Sequence, residues 1–224
     1  MPEFPTSEFI VHSIPGSPYG RAVLAALEEK GAAYRLNPVA PGTFQSEPHI
    51  SRHPFGKVPV LQHRDFILYE TQAILRYLDR VLPAPPLTPA DPKAAARMDQ
   101  VMNVNDWYFF QGVSAVIGFQ RVVWPKLMGL TPDEAACAAA MPRAHQVFDE
   151  FGRLLGDQPY FGGDAVSLAD LLAASQIDFL DGLPEWAPLT ANNPNLIAWL
   201  ARMNARPSMQ KTTWPKVAEM AKAA

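Results

Sequence analysis

The segment from Leu82 to Pro92 constrains this 224-residue chain most, because it holds five prolines in eleven residues. Proline fixes one backbone dihedral and has no N–H group to offer a helix, so such a stretch is stiff and extended. We therefore interpret residues 83–92 as a linker between two domains, residues 1–82 and residues 93–224. Two domains agree with the chain length, since a typical domain takes about 100–200 residues.

Charge and cysteine content exclude several classes of function. Lys and Arg number 19 and Asp and Glu number 22, so the formal charge is −3 and no basic run offers a nucleic-acid surface. The single cysteine, Cys137, excludes an intrachain disulfide and a cysteine-rich zinc site. His49 and His53 are four residues apart, as metal ligands often are, but lack an evident third ligand. We expect a protein without a metal.

The sequence carries no targeting or membrane signal. Met1–Phe9 contains two acids and no base, unlike a signal peptide, and no stretch approaches the ~20 apolar residues of a membrane helix. A lone thiol also fits a reducing compartment. We therefore expect a soluble cytoplasmic protein with neither nucleic acid nor membrane as a partner.

The first domain alternates the patterns of strands and helices. Ser17 and Pro18 are typical of the N-cap and first position of a helix, and Gly31 is typical of its end. The patterns predict a strand at residues 9–11, a helix from Ser17 to Gly31, a strand at residues 34–36, strands at residues 58–61 and 66–69, and a helix from Glu70 or Thr71 to Pro83. The first two strands should be parallel, and the last two should form an antiparallel hairpin.

The second domain is predicted to be all helical. The candidates run from Lys93 to about Phe119, from Pro132 to Leu155, from Leu168 to about Leu180, and from Asn195 to Ala205. Ser167 and Asp170 have the spacing of a capping box, with Asp in place of the usual Glu. The fold class is therefore α+β for the first domain and all-α for the second.

Ser17 is the first candidate for chemistry. The N-terminus of a helix favours an anion, and a thiolate is such an anion. A serine hydroxyl there can donate a hydrogen bond to sulfur. The alternative is that Ser17 serves only as the N-cap of the helix.

Two further segments offer groups that bind a peptide-like ligand. A cis Val58-Pro59 bond would leave the Val58 N–H and C=O free to pair with an extended peptide, or Pro59 simply marks an edge strand. Glu70 and Thr71 stand at a helix start, where Thr71 suits a carboxylate and Glu70 suits an ammonium group. The alternative there is a solvated first turn, in which acids are favoured anyway.

Together, and in this order, these segments resemble the glutathione transferase family over essentially the whole chain. SPYGRAVLAALEEKG is similar to its first helix, HPFGKVPVL to its cis-proline loop, LYETQAILRYLD to its glutathione-carboxylate helix, and VSLADLLAA to the capping box of its sixth helix. His53 stands in the loop where Asn is commoner. The resemblance implies a cytosolic-type member of the serine class, theta- or phi-like and bacterial.

The resemblance implies a thioredoxin-like first domain that holds glutathione as co-substrate and a helical domain that shapes the site of an apolar electrophile. Ser17 would activate the thiol, as the catalytic residue of a detoxifying transferase. The glutathione-binding residues would be Lys57, Val58, Pro59, Glu70 and Thr71. The electrophile site would include Ile14, Trp107 and Gln111, with Trp107, Gln111 and Ser114 on one line of their helix. Phe55 resembles the aromatic residue that some classes insert into a second subunit, so we expect a homodimer.

The sequence leaves several alternatives open. Ser13 and Tyr19 are rivals of Ser17 as the thiol partner. Phe44 and Gln45 stand where phi-like members often have His-Lys, so a glutathione contact by Gln45 or His53 is undecided. No cysteine occupies the activating position, which disfavours disulfide reduction. A non-catalytic glutathione-binding protein and a glutathione-dependent lyase, isomerase or ether-cleaving enzyme are the competing functions.

Overall fold

The computed structural model describes residues 9–224 and divides the chain into two compact units. The expected absence of a signal peptide concerns residues that lie outside this range, except for Phe9. The first unit contains the chain up to Pro86 together with Ala205–Ala224, and the helical unit contains Leu87–Asn204. Within residues 9–224, no helix combines the length and the apolar character that crossing a bilayer demands.

The first unit contains a four-stranded sheet in the order β2-β1-β3-β4. Its elements are β1 (Phe9–Ser13), α1 (Pro18–Glu29), β2 (Tyr34–Pro38), α2 (His49–Arg52), β3 (Val60–His63), β4 (Phe66–Tyr69) and α3 (Thr71–Val81). β1 and β2 are parallel, and β3 and β4 form an antiparallel hairpin, which confirms both predictions. The thioredoxin-like order of strands and helices is confirmed as well.

The helix α1 begins and ends where the sequence predicted. The Ser17 hydroxyl accepts a hydrogen bond from the Gly20 N–H at 3.0 Å, and Gly31 follows the helix with a φ of 61°. The buried Lys30 after the last turn donates to Asp79 of α3 and to the Pro85 carbonyl, both at 2.5 Å. This one ammonium group thereby joins the end of α1 to α3 and to the start of the proline-rich segment.

Residues 205–224 do not belong to the helical unit, contrary to the predicted domain of residues 93–224. They form α9 (Pro207–Lys211) and α10 (Trp214–Ala223), neither of which the sequence analysis identified. Arg206 pairs with Glu29 of α1 at 2.7 Å, and the Arg21 guanidinium lies 5.1 Å from the centre of the Trp214 ring. These contacts with α1 explain why the segment is part of the first unit.

The helical unit contains the predicted helices with shifted ends. They are α4 (Pro92–Val104), α5 (Glu134–Leu155), α6 (Leu168–Ile177), α7 (Trp186–Thr190) and α8 (Pro194–Asn204), and α4 continues as a π-helical segment over Asn105–Met128. The predicted end near Phe119 was therefore wrong, and Pro125 lies inside the segment. α7 was not predicted.

The wide π-helical turn changes which residues share a face. Asn105, Phe109, Val113 and Ile117 recur every four residues and are fully buried, whereas an α-helix repeats every ~3.6. Ser114 is buried while Trp107 and Gln111 are exposed, so the predicted line through these three was wrong. Tyr108 is exposed as well, with its ring centre 4.9 Å from the Arg143 guanidinium.

The predicted capping box of α6 is confirmed around the fully buried Asp170. Its carboxylate accepts from the Ser167 N–H at 2.9 Å, from the Ser167 hydroxyl at 2.7 Å, and from the Phe161 N–H and the Trp199 ring N–H, both at 2.8 Å. Burial raises the pKa of Asp170, and these donors oppose that effect. The Asp170 side chain thus binds both the loop before α6, through Phe161 and Ser167, and the helix α8, through Trp199.

Candidate active site

The register of the sheet brings the predicted ligand-binding segments to one end of the first unit. His12 of β1 is paired with Val60 of β3, which is paired in turn with Tyr69 of β4. The next residue outward from this row is Ser13 on β1, Pro59 before β3 and Glu70 after β4. Because the row crosses three adjacent strands, the loop after β1, the loop before β3 and the start of α3 lie side by side.

Ser17 is placed at the N-terminus of α1 beside this end of the sheet. Ser17 is buried, at 7 % exposure, and its hydroxyl oxygen already accepts a hydrogen bond from the Gly20 N–H. A hydroxyl has one proton and two acceptor sites, so this bond leaves the proton of Ser17 to donate elsewhere. The arrangement therefore suits a hydrogen bond from Ser17 to an anion at the helix N-terminus.

The rivals of Ser17 differ in their surroundings. Ser13 is 1 % exposed, and its hydroxyl packs on Gly20 so closely that a β-carbon added there would lie 2.1 Å from Ser13 Oγ. Its hydroxyl also faces the Ile14 carbonyl at 3.5 Å. Tyr19 is half-buried in the first turn of α1. Ser13 is thus enclosed between β1 and α1, whereas Ser17 caps the helix.

The loop before β3 is held by the two histidines of the sequence HISRH. His49 and His53 are 3 % and 2 % exposed. His49 Nε2 lies 2.8 Å from the Lys57 carbonyl oxygen, and His53 Nδ1 accepts from the Phe55 N–H at 3.3 Å. Burial, followed by the charges of His49 and Lys57, lowers the pKa of His53, so the neutral ring that this second bond requires is favoured.

The Val58-Pro59 peptide bond is cis, as predicted. Lys57 is exposed, Val58 is half-buried and Pro59 is buried at the start of β3. Gln45 packs against this loop, because its side-chain nitrogen lies 3.5 Å from the Phe55 carbonyl. The structure thus gives Gln45 and His53 positions that support the loop.

Glu70 and Thr71 stand at the start of α3, as predicted. Thr71 is 7 % exposed, whereas Glu70 is exposed and takes a φ of 68°. A residue other than glycine with a positive φ carries strain of about 1–3 kcal/mol, and such strain is concentrated at functional sites. The backbone at Glu70 therefore supports a ligand-binding role for this corner.

The predicted electrophile residues are divided between the two units. Ile14 follows β1 and is half-buried, while Trp107 is 65 % exposed and Gln111 lies four residues further along the π-helical segment. Phe119 is also exposed. No group of three or more His, Cys, Asp or Glu side chains suited to a metal ion occurs among residues 9–224.

His49 is the residue that the sequence analysis did not connect with the site. From sequence alone, the HxxxH spacing indicates only a pair of metal ligands. In the structure the spacing puts both rings on the same side of α2, with centres 6.4 Å apart, against the loop of Phe55–Val58. The sequence signal was present, but the partner of His49 is a backbone carbonyl, which no side-chain pattern reveals.

Comparison with known proteins gives two family matches. Residues 7–80 match the glutathione S-transferase N-terminal domain, and residues 110–207 match the C-terminal domain of the same family. A glutathione S-transferase of Hyoscyamus muticus is 33 % identical over 205 residues, which cover 90 % of this chain and 95 % of the relative.

Solved structures agree with this match. Glutathione transferase F7 from Populus trichocarpa is 27 % identical with a TM-score of 0.82, covering 95 % of this chain and 99 % of its own. Glutathione S-transferase I from maize, in complex with an atrazine glutathione conjugate, is 29 % identical with a TM-score of 0.81, covering 97 % and 100 %. With both domains matched and the whole fold shared, the chain belongs to the glutathione S-transferase family.

Proposed function

We propose that this glutathione transferase joins the thiolate of glutathione to an apolar electrophile, with the Ser17 hydroxyl as the hydrogen-bond donor to the sulfur. The observation that carries the proposal is the bond from the Gly20 N–H to Ser17 Oγ, which fixes the oxygen at the N-terminus of α1. The free proton of Ser17 and the positive end of the helix dipole both favour a thiolate over a thiol. Since the thiolate is the nucleophile, both contribute to the reaction.

Glutathione would lie along the end of the sheet where the three segments meet. In this proposal Lys57, Val58 and Pro59 hold its cysteinyl and glycyl part, and Glu70 and Thr71 hold its γ-glutamyl end. The strand register that aligns Pro59 with Glu70 supports one continuous binding surface. The proposed chemistry needs no metal.

We assign Ile14, Trp107 and Gln111 to the electrophile. The exposed Trp107 ring supports an apolar and flat substrate, since aromatic side chains supply large apolar contact areas. The maize relative was solved with an atrazine glutathione conjugate, which places an apolar conjugate in a similar fold. Substitution of Trp107 by Ala should raise the Michaelis constant for an aryl halide while leaving that for glutathione unchanged; an unchanged constant for the halide would remove Trp107 from the site.

Ser17→Ala tests the catalytic assignment. A hydrogen bond to a charged group is worth about 1.5–3 kcal/mol, so turnover should fall about ten- to a hundredfold with little change in glutathione affinity. The thiolate titration of bound glutathione, followed by ultraviolet absorbance, should shift to higher pH. Ser13→Ala is the matched control, and a shift in that variant instead would assign the role to Ser13.

Thr71→Ala tests the proposed glutathione-binding site separately from the chemical step. Loss of a bond to a carboxylate should weaken glutathione binding about tenfold or more, while turnover at saturating glutathione changes less. Calorimetric titration measures the affinity directly. Binding of glutathione by the unmodified protein without turnover of any electrophile would instead support the non-catalytic alternative.

We further infer a homodimer in which Phe55 enters a second copy. Phe55 is 65 % exposed, and a groove of about 470 Å³ on the same unit is lined by Phe66, Leu68, Ala73, Arg76, Tyr77 and Arg80. Two-fold dimers are the commonest assemblies of soluble proteins. Sedimentation should give a dimer mass at micromolar concentration, weakened by Phe55→Ala but not by Ile197→Ala, another exposed apolar residue. A monomer mass for the unmodified chain would refute this.

Membership of the serine class, of the theta- or phi-like type, and a cytoplasmic location complete the proposal. The serine at the N-terminus of α1 supports the first, and a chain with a single cysteine suits the second. Fractionation of the source cells with an antibody against the protein tests the location.

A further inference from the structure

The loop that precedes β3 is fixed at three backbone positions by His49 of α2 and by His53 just after it. His49 Nε2 lies 2.8 Å from the Lys57 oxygen, the Phe55 N–H donates to His53 Nδ1 at 3.3 Å, and the Gly56 N–H donates to the His53 carbonyl at 2.8 Å. A carbonyl only accepts, so His49 must donate its Nε2–H. The first of the three contacts, from His49 to the Lys57 oxygen, holds the peptide group between Lys57 and Val58.

The geometry of that peptide group links His49 to the ligand. The Lys57-Val58 bond is not among the cis bonds of the chain, so its C=O and N–H point in opposite directions within one plane. Fixing the Lys57 oxygen on one side fixes the direction of the Val58 N–H on the other. A hydrogen bond to the carbonyl also polarises the peptide group and strengthens its N–H as a donor.

We propose that His49 is a positioning residue of the glutathione site, which acts through the Lys57-Val58 peptide group on the cysteinyl carbonyl of glutathione. This rests on the proposed function, in which the Val58 backbone pairs with the cysteinyl unit. The His49 side chain is buried, at 3 % exposure, and in this proposal it acts without contacting the ligand. Its bond sets the affinity for the tripeptide rather than the rate of the chemical step.

His49→Phe and His49→Gln test the proposal as a pair. Phenylalanine keeps a flat ring but has no N–H, whereas the Gln side-chain amide retains a donor. His49→Phe should weaken glutathione binding about two- to tenfold, as expected for a lost neutral hydrogen bond, with turnover at saturation unchanged. His49→Gln should restore most of the affinity. The control is His63→Gln, because His63 lies on β3 and pairs with Tyr77; this variant should bind glutathione as the unmodified protein does.

A shortened ligand separates positioning from general damage to the loop. γ-Glutamylcysteamine keeps the γ-glutamyl group and the thiol but has no cysteinyl carbonyl, so its affinity should be the same with His49→Phe as without it. An equal loss for both ligands, or no loss for glutathione, would overturn the proposal.

A measurement without ligand keeps this proposal distinct from the proposed function. The amide nitrogen resonance of Val58 should shift in His49→Phe and stay near its original position in His49→Gln. If the unmodified protein binds no glutathione, the proposed function fails, while the Val58 resonance still decides whether His49 orients this peptide group. An unshifted Val58 resonance in His49→Phe would refute the positioning role by itself.

Discussion

One buried polar side chain of this protein, Asp170, is fixed by several partners, so a single substitution there should be costly. Asp170 is fully buried and accepts hydrogen bonds from two backbone N–H groups, one hydroxyl and one indole N–H at 2.9 Å or less. Replacement by Ala leaves these donors without their acceptor. His12 and His53 are also buried, and the Nδ1 atom of each accepts a hydrogen bond.

Asp170→Ala should lower the free energy of unfolding by about 3–5 kcal/mol, because each buried donor left unsatisfied costs about 1–3 kcal/mol. Urea denaturation measures the change. Asp164 lies exposed in the same loop region, so Asp164→Ala should change stability by no more than about 0.5 kcal/mol. Equal effects of the two variants would show that the capping box carries little of the stability.

The stability of the first unit should fall in mild acid because of His12 and His53. Burial is the main cause that lowers both pKa values from 6.5. Each ring uses Nδ1 as an acceptor, His12 from the Asn37 amide at 2.7 Å and His53 from the Phe55 N–H. In the unfolded chain both rings bind protons more readily, so their contribution is complete above pH 6.5 and is lost as the pH falls through the lowered folded values.

Denaturation at pH 7.5 and at pH 5.5 checks this expectation. The free energy of unfolding should be lower at pH 5.5, and the difference should shrink in the double variant of His12→Gln and His53→Gln. The same pH dependence in parent and variant would assign the effect to other groups.

At the scale of elements, the sequence predicted local structure well where its signals were local. The caps at Ser17 and Ser167, the hairpin of residues 60–69 and the start of α3 at Thr71 all follow from side chains close in sequence. The end of the helix at Met128 did not, because buried side chains recur every four residues in the π-helical segment, a spacing that an α-helical pattern of about 3.6 residues does not follow. His49 was likewise missed, since its partner is a backbone oxygen eight residues away.

The contact between β1 and α1 predicts a sharp difference between two glycines. An added β-carbon at Gly20 would lie 2.1 Å from Ser13 Oγ and 3.1 Å from Ser13 Cβ, whereas nothing lies within 4 Å at Gly16. Gly20→Ala should cost about 1–3 kcal/mol by overpacking, and Gly16→Ala less than about 0.5 kcal/mol. Thermal unfolding compares them. Adding Ser13→Ala to Gly20→Ala should recover part of the loss, and no recovery would place the strain elsewhere.

At the scale of the whole molecule, the sequence indicates a linker through its prolines but does not indicate that residues 205–224 belong to the first unit. Proline content is visible in sequence, whereas the pairing of Glu29 with Arg206 joins residues 177 positions apart. Lys211 pairs with the neighbouring acid, Glu28, at 2.8 Å. The two ion pairs differ in burial, since the Arg206 side chain is 25 % exposed and that of Lys211 is 61 % exposed.

Because the two ion pairs differ in burial, their removal should lower the free energy of unfolding by different amounts. Arg206→Ala leaves the largely buried Glu29 carboxylate without its bidentate partner and should cost about 1–3 kcal/mol. Lys211→Ala removes an exposed pair and should cost no more than about 1 kcal/mol. Chemical denaturation of both variants measures the two losses, and a larger loss at Lys211 would contradict the assigned roles.

The attachment of residues 205–224 to α1 has a consequence for how the protein is made. A ribosome releases the chain in sequence order, so the sheet and α1 emerge long before residues 205–224, which contact that helix. The whole helical unit is translated in between. The first unit therefore remains incomplete until residues 205–224 leave the ribosome, and a chain interrupted before Arg206 lacks the ion pair that this residue forms with Glu29.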